Sequence, residues 1–107
     1  MHDKAFVFIE AYENNETTLA FSLLATDVKP KIDQATFSIT PGDFRAVVEA
    51  FRKAGITTRN EAGKNEVPIY VSHFGGHEGA LIFVMIQEGN EWRIGNIIEG
   101  SAGRGWR

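Results

Sequence analysis

The chain has 107 residues, of which 43% are hydrophobic and 23% are charged, and its formal net charge is −3 at pH 7. This composition is typical of one globular domain and excludes an intrinsically disordered chain. The 11 lysine and arginine residues are scattered along the sequence, which disfavours a nucleic-acid-binding protein because such proteins carry a basic stripe.

The sequence contains no cysteine, so disulfide bonds, thiolate metal sites and cysteine nucleophiles are excluded. The apolar run near the N-terminus, FVFI, is too short for the core of a signal peptide. No segment has the length that a bilayer-spanning helix needs. We therefore predict a soluble cytoplasmic protein without membrane contact, and the sequence points to no cofactor.

The first thirty residues allow two interpretations. The segments FVFI and LAFSLLA flank ENNET and could form a β-hairpin, or they could be two helices with a break at Asn14-Asn15. In the helical alternative, Phe6 and Ile9 share one side of the first helix and leucines line the second. Pro30 then ends the second helix, and KIDQATFSIT at 31–40 is predicted as a strand.

A helix at about 41–54 has the clearest local signal. Thr40 suits the N-cap and Pro41 suits the first helical position. Apolar side chains then recur at the spacing of one helix face, namely Phe44, Val47, Val48 and Phe51. Gly55 is the residue type that commonly ends a helix.

Three segments in the second half of the chain predict strands. EVPIYVSHF, GALIFVMIQ and EWRIGNIIE are rich in β-branched and aromatic residues, and Gly75-Gly76 and Gly89-Asn90 between them suit tight turns. We predict a three-stranded antiparallel meander at about 66–99, within one α+β domain of residues 1–100. The tail, 101–107, lacks periodicity and is predicted to be flexible, with Trp106 on it.

This order of elements, with FIEAYENNETTLAFSLLATDV at 8–28 and GNEWRIGNI at 89–97, resembles the nuclear transport factor 2-like superfamily. That superfamily includes ketosteroid-isomerase-like and polyketide-cyclase-like domains. The first stretch resembles its opening helix pair, and the second resembles its final hairpin, in which a tryptophan follows a glycine turn. The resemblance implies a cone, in which a curved antiparallel sheet wraps over helices and encloses a pocket, and it implies dimerisation through the sheet.

The predicted turns assign the strand residues to two faces. Two-residue turns pair Tyr70 with Leu81 and Phe83 with Asn96, and opposed residues share a face. One face mixes aromatic and polar groups, which suits a ligand pocket. Together with Tyr12 from the first predicted helix, the residues predicted to line this pocket are Tyr70, Phe83, Met85, Trp92 and Asn96. The other face is mostly aliphatic, which suits a homodimer interface; its residues are Val67, Ile69, Val71, Ile82, Val84, Ile86 and Ile97.

The stretch SHFGGHEGA at 72–80 has two histidines four residues apart. Across a tight hairpin, His73 and His77 point to opposite faces, so no metal site is predicted there. His77 could still act as a lone acid or base, and Asp27 and Asp33 are further candidates if one of them is buried in a pocket.

The sequence favours binding over catalysis, because it shows no paired acids, activated nucleophile or metal ligands. We predict a dimeric binding module with a pocket for a small apolar or aromatic ligand. One alternative is an enzyme of isomerase or cyclase type that uses a single pocket acid or histidine. The other is a protein-protein interaction domain with a filled core and no pocket.

Overall fold

A computed structural model describes residues 2–39, 43–56, 65–71 and 79–100. The chain is an α+β protein in which helices precede an antiparallel sheet. The helices are α1 (His2–Glu13), α2 (Thr17–Ser22), a 3₁₀ helix (Lys29–Lys31), α3 (Thr36–Ile39) and α4 (Phe44–Lys53). The strands are β1 (Glu66–Val71), β2 (Gly79–Glu88) and β3 (Glu91–Gly100). In the described ranges, no helix is long and apolar enough to cross a membrane.

The N-terminal segment forms two helices, so the helical interpretation is confirmed and the hairpin is wrong. The break falls at Asn15, whose φ of 61° is left-handed. The Asn15 N–H donates to the Tyr12 carbonyl at 3.1 Å, and the Glu16 N–H donates to the Ala11 carbonyl at 2.7 Å. These two bonds form a Schellman motif, which satisfies the last carbonyls of α1 and turns the chain into α2.

The strand predicted at 31–40 is wrong, because this segment contains α3. The Asp33 carboxylate accepts a hydrogen bond from the Ala35 N–H at 3.1 Å, which forms an Asx turn ahead of the helix. Phe37 is fully buried, and its ring centre lies 5.8 Å from that of Phe8 and 6.1 Å from that of Tyr12. The local turn and the burial of Phe37 against α1 therefore outweigh the strand preference of the β-branched residues.

Helix α4 confirms the predicted element and its apolar stripe, since all four stripe residues are buried. Its start is corrected: Asp43 has an extended backbone and its carboxylate accepts from the Arg45 N–H at 3.1 Å. Asp43 is therefore the N-cap, not Thr40; Thr40 and Pro41 lie outside the described residues. Gly55, with φ of 76°, follows the end of the helix as predicted.

The sheet has the order β1-β2-β3 with antiparallel neighbours, which confirms the meander. Glu88 pairs with Glu91, so Gly89 and Asn90 form a two-residue turn. Gly89 has φ of 64° and Asn90 does not have a positive φ. This pattern is that of a type II′ turn, in which glycine is favoured at the first central position.

The two predicted registers need correction. Tyr70 pairs with Ala80 instead of Leu81, a difference of one residue. The predicted turn at Gly75-Gly76 lies outside the described residues, as do Ser72 to Glu78 with both histidines. Between β2 and β3, the register shifts at Val84/Met85. Gly95 is the extra residue of this β-bulge, and Phe83 therefore pairs with Ile97 instead of Asn96.

These shifts redistribute the sheet faces, because a one-residue slip turns every later side chain to the opposite face. The face that packs on the helices consists of Val67, Ile69, Leu81, Phe83, Met85, Ile94 and Ile97, all in the hydrophobic core. Val67, Ile69 and Ile97 were predicted on the dimer face, and that placement is wrong. Ile82, Val84 and Ile86 do lie on the opposite face.

The outer edge of β3 is joined to the segment that follows α2. The Ile94 N–H donates to the Leu23 carbonyl and the Ala25 N–H donates to the Ile94 carbonyl, both at 2.8 Å. Leu24 and Ile94 thus form a parallel bridge. The edge strand is paired at this point, which keeps its backbone groups from being left unsatisfied.

Charged side chains reinforce this junction. The Glu88 carboxylate accepts from the Thr26 N–H at 2.9 Å and from the Thr26 hydroxyl at 2.8 Å. Arg93 donates to the Ser22 carbonyl at 2.7 Å, and its Nε lies 4.0 Å from Glu88 Oε1. The hydrogen bonds from Thr26, followed by the positive charge of Arg93, hold the pKa of Glu88 below its ordinary value.

Candidate functional site

The interior that was predicted to be a pocket is filled by aromatic side chains. Tyr12, Phe83 and Met85 are buried in the core. The Tyr12 ring centre lies 5.1 Å from that of Phe44, and its hydroxyl donates to the Asp43 carbonyl at 3.3 Å. These three residues are therefore part of the packed core that joins α1, α4 and the sheet.

The other predicted lining residues lie apart from each other. Tyr70 is on the opposite sheet face with 60% of its surface exposed, and Trp92 is half-buried against the core. Asn96 is buried at the bulge of β3, with 5% of its surface exposed. The fold thus brings the six predicted residues to the core, to the open sheet face and to the bulge, not to one cavity.

The acidic candidates are on the surface. Asp27 and Asp33 are exposed, and the Asp33 carboxylate is used in the turn ahead of α3. His77 lies outside the described residues. In the ranges that the structure describes, no group of three histidine, aspartate or glutamate side chains could hold a metal ion.

A different pocket lies between the C-terminal half of α4 and β3. Its volume is about 270 Å³. Among the described residues, the lining consists of Val48, Phe51, Arg52, Ile56, Asn96, Ile97 and Ile98. Five of these seven side chains are apolar, and two polar side chains accompany them, which is the usual composition of a small-molecule site.

The end of α4 shapes one wall of this pocket. The Gly55 N–H donates to the Arg52 carbonyl at 3.0 Å, and the Ile56 N–H donates to the Phe51 carbonyl at 3.1 Å. This Schellman motif brings Ile56 back towards Phe51, because its two flanking apolar residues pack together. The positive φ of Gly55, which glycine adopts without a steric cost, allows that reversal.

Asn96 forms the polar part of the opposite wall. Its side-chain Nδ2 donates to the Ile56 carbonyl at 3.0 Å, and its Oδ1 accepts from the Ile97 N–H at 2.8 Å. A primary amide has two N–H donors. The second N–H has no acceptor among the described residues, so Asn96 can offer one hydrogen bond to a ligand.

Arg52 lines the pocket at the protein surface. Its guanidinium donates to Glu49 at 2.7 Å, and Nη2 lies 3.9 Å from the Glu99 carboxylate. The aliphatic stem of an arginine commonly covers apolar surface while the charged group stays in water. One positive charge thus stands beside two negative charges at this side of the pocket.

Of the predicted site residues that the structure describes, Asn96 alone lines this pocket. Val48 and Phe51 were predicted on the apolar face of the helix at 41–54, and Arg52 and Ile56 were not predicted as site residues. The glycine that precedes Asn96 was the available signal, since a glycine inside a strand pattern indicates a bulge or the close approach of another group.

No protein-family model, curated protein or solved structure matches this chain. The resemblance to the nuclear transport factor 2-like superfamily therefore stays a prediction, and the site has to be interpreted from its own geometry.

Proposed function

We propose that the chain is a binding module that holds a small, mostly apolar molecule in the pocket between α4 and β3. The observation that carries this proposal is a set of apolar walls around a buried amide with one N–H to offer. The volume of about 270 Å³ lies just below the roughly 300–1,000 Å³ of sites for drug-sized ligands. The ligand is accordingly of fragment size.

Binding without turnover is the better proposal for this pocket. Among the residues that the structure describes, its lining includes no carboxylic acid, histidine, serine or lysine. Neither a guanidinium nor a primary amide readily gains or loses a proton near neutral pH, so neither side chain is suited to general acid–base catalysis.

The proposal is tested by titrating the protein with a library of neutral aromatic and aliphatic fragments while recording backbone amide resonances. Binding in the pocket is expected to shift the resonances of Ile97 and Ile98. Val48→Trp and Ile56→Trp each place an indole at a lining position of the pocket and should abolish these shifts. Lys53→Trp, an exposed change on the same helix, is the matched control and should leave them intact.

The proposal fails if no fragment at millimolar concentration shifts these resonances. It also fails if both tryptophan variants stay folded and still bind the fragments as the control does. Circular dichroism of each variant separates loss of binding from loss of fold.

We also propose weak self-association through the sheet face opposite the helices. Ile82, Ile86 and Ile98 are partly exposed there, around buried Val84. The area of this face follows from the sheet dimensions. Three strands spaced about 4.8 Å apart and six residues of about 3.3 Å each give roughly 300 Å². Stable interfaces bury about 800 Å² per partner, so the expected dimer forms only at high concentration.

Sedimentation velocity over a concentration series tests this dimer. Ile82→Lys is expected to abolish the concentration dependence, because it places a charge at the centre of the face. Exposed Arg45→Glu on α4 is the control. A dimer that Ile82→Lys leaves unchanged would show that a different surface associates.

We also propose that the chain belongs to the nuclear transport factor 2-like superfamily and has its cone-shaped fold. This proposal is supported by the helix pair α1–α2 and by the β2–β3 hairpin, in which Trp92 follows a glycine turn. An experimental structure with the sheet wrapped over the helices would support it, and a sheet open at both edges would contradict it.

A further inference from the structure

We infer that the pocket between α4 and β3 selects neutral ligands with a hydrogen-bond acceptor and rejects carboxylates. This inference rests on the proposed function, because it concerns the ligand of the same pocket. It follows from the two polar side chains of the lining, Asn96 and Arg52, and from the charges beside them.

Asn96 sets the hydrogen-bonding requirement. Its Oδ1 is used by the Ile97 N–H and one of its Nδ2 hydrogens by the Ile56 carbonyl, so the group left for a ligand is a donor. Both existing bonds connect the Asn96 side chain to backbone groups of buried residues, and they fix the orientation of its amide. A ketone, amide or ester oxygen matches this donor, whereas an ammonium group, which can only donate, does not.

The charges at Arg52 set the second requirement. A ligand carboxylate would have to bind a guanidinium that already donates to Glu49 at 2.7 Å and has Glu99 at 3.9 Å. Three carboxylates would then share one positive charge, and like charges brought together disfavour the complex. A neutral ligand leaves the existing ion pairs in place and uses only the apolar stem of Arg52.

Phenylacetamide and phenylacetate are suitable probes, since they share one apolar ring and differ in the charge of the head group. Amide-resonance titrations at low salt should give a Kd for phenylacetamide at least about tenfold lower than that for phenylacetate, because the carboxylate of phenylacetate would lie beside Glu49 and Glu99. In the double variant Glu49→Gln/Glu99→Gln, the ratio of the two Kd values should fall to about threefold or less, because Arg52 becomes available to bind the carboxylate of phenylacetate. Both glutamates are about half-exposed, so this variant is expected to fold normally.

The outcomes separate the inference from the proposed function. Equal binding of both probes at Ile97 and Ile98 in the unmodified protein would overturn the inference and leave the binding function standing. A double variant that discriminates as strongly as the unmodified protein would overturn the role of the two carboxylates. Absence of binding by either probe, and by the neutral fragments, would overturn both proposals.

Discussion

Replacing Asn96 with leucine tests whether its side chain joins the bulge of β3 to the end of α4. The change removes the donor to the Ile56 carbonyl and the acceptor of the Ile97 N–H, in residues that are both buried. Leaving a buried polar group unsatisfied costs about 1–3 kcal/mol, hence about 2–6 kcal/mol for two groups. The apolar burial of leucine returns about 1–2 kcal/mol. The middle of these ranges, about 4 kcal/mol lost and about 1.5 kcal/mol returned, gives an expected net loss in the free energy of unfolding of about 2.5 kcal/mol.

The assay is urea unfolding followed by far-ultraviolet circular dichroism, together with hydrogen exchange at the Ile97 amide. With a slope of about 1–3 kcal/mol/M, the midpoint should fall by about 1 M, and exchange at Ile97 should accelerate. Gln87→Leu makes the same amide-to-leucine change at an exposed strand position and should alter stability by less than about 0.5 kcal/mol. If Asn96→Leu matches this control and the Ile97 amide stays protected, the assigned role of Asn96 is wrong.

Three further changes test other parts of the fold. Asn15→Ala should lower stability by about 1 kcal/mol because of the left-handed φ of 61°, while Asn15→Gly should not; thermal unfolding compares the two. Gly95→Ala puts a methyl group against the side chain of Ile86, with 2.8 Å to Cγ1, and should cost about 1–3 kcal/mol. In the double variant Gly95→Ala/Ile86→Val, part of the lost stability should be recovered. If the stability losses of the two single changes simply add, the contact between position 95 and Ile86 is contradicted. The hydrogen bonds from Thr26 lower the pKa of Glu88 in the folded state. The ionised Glu88 carboxylate therefore stabilises the fold fully above the ordinary pKa of 4.5. This stabilisation is lost as the pH falls through the lower pKa of the folded state. Unfolding measured from pH 7 to pH 3 should therefore lose less stability in Glu88→Gln, and an identical acid dependence would refute the assignment.

The sequence predicts the elements with strong local signals and misses those set by distant contacts. The apolar stripe of α4 and the glycine turn at Gly89 depend on neighbours in the sequence, and both are confirmed. The segment at 31–40 has the composition of a strand, but Phe37 is buried against α1, a contact between distant parts of the chain. Local propensity cannot show that a tertiary contact of this kind decides the conformation.

The candidate site is missed for a related reason. Regular alternation places Asn96 opposite Phe83, but the bulge at Gly95 moves Ile97 into that position. Gly95 is the residue of this segment that indicates the irregularity, because a glycine inside a strand often marks a bulge. Asn96 was predicted to line a pocket, but its side chain is bonded to the carbonyl of Ile56, 40 residues earlier. Sequence periodicity carries no information about a pairing at that distance.

The junction between the segment after α2 and the β2–β3 hairpin also has a consequence for how the chain folds. Ser22 and Arg93 are 71 residues apart in sequence, and Thr26 and Glu88 are 62 apart. Closing a loop of about 70 residues costs close to 4 kcal/mol in chain entropy beyond a length-independent constant. The hairpin and the helices can each form from local contacts. Their docking requires this loop closure, so we expect docking to be the slow step of folding, because contacts between distant residues form slowly. Two fragments that divide the chain between α4 and β1 should accordingly remain loosely structured alone and fold on mixing, at a rate that depends on their concentration.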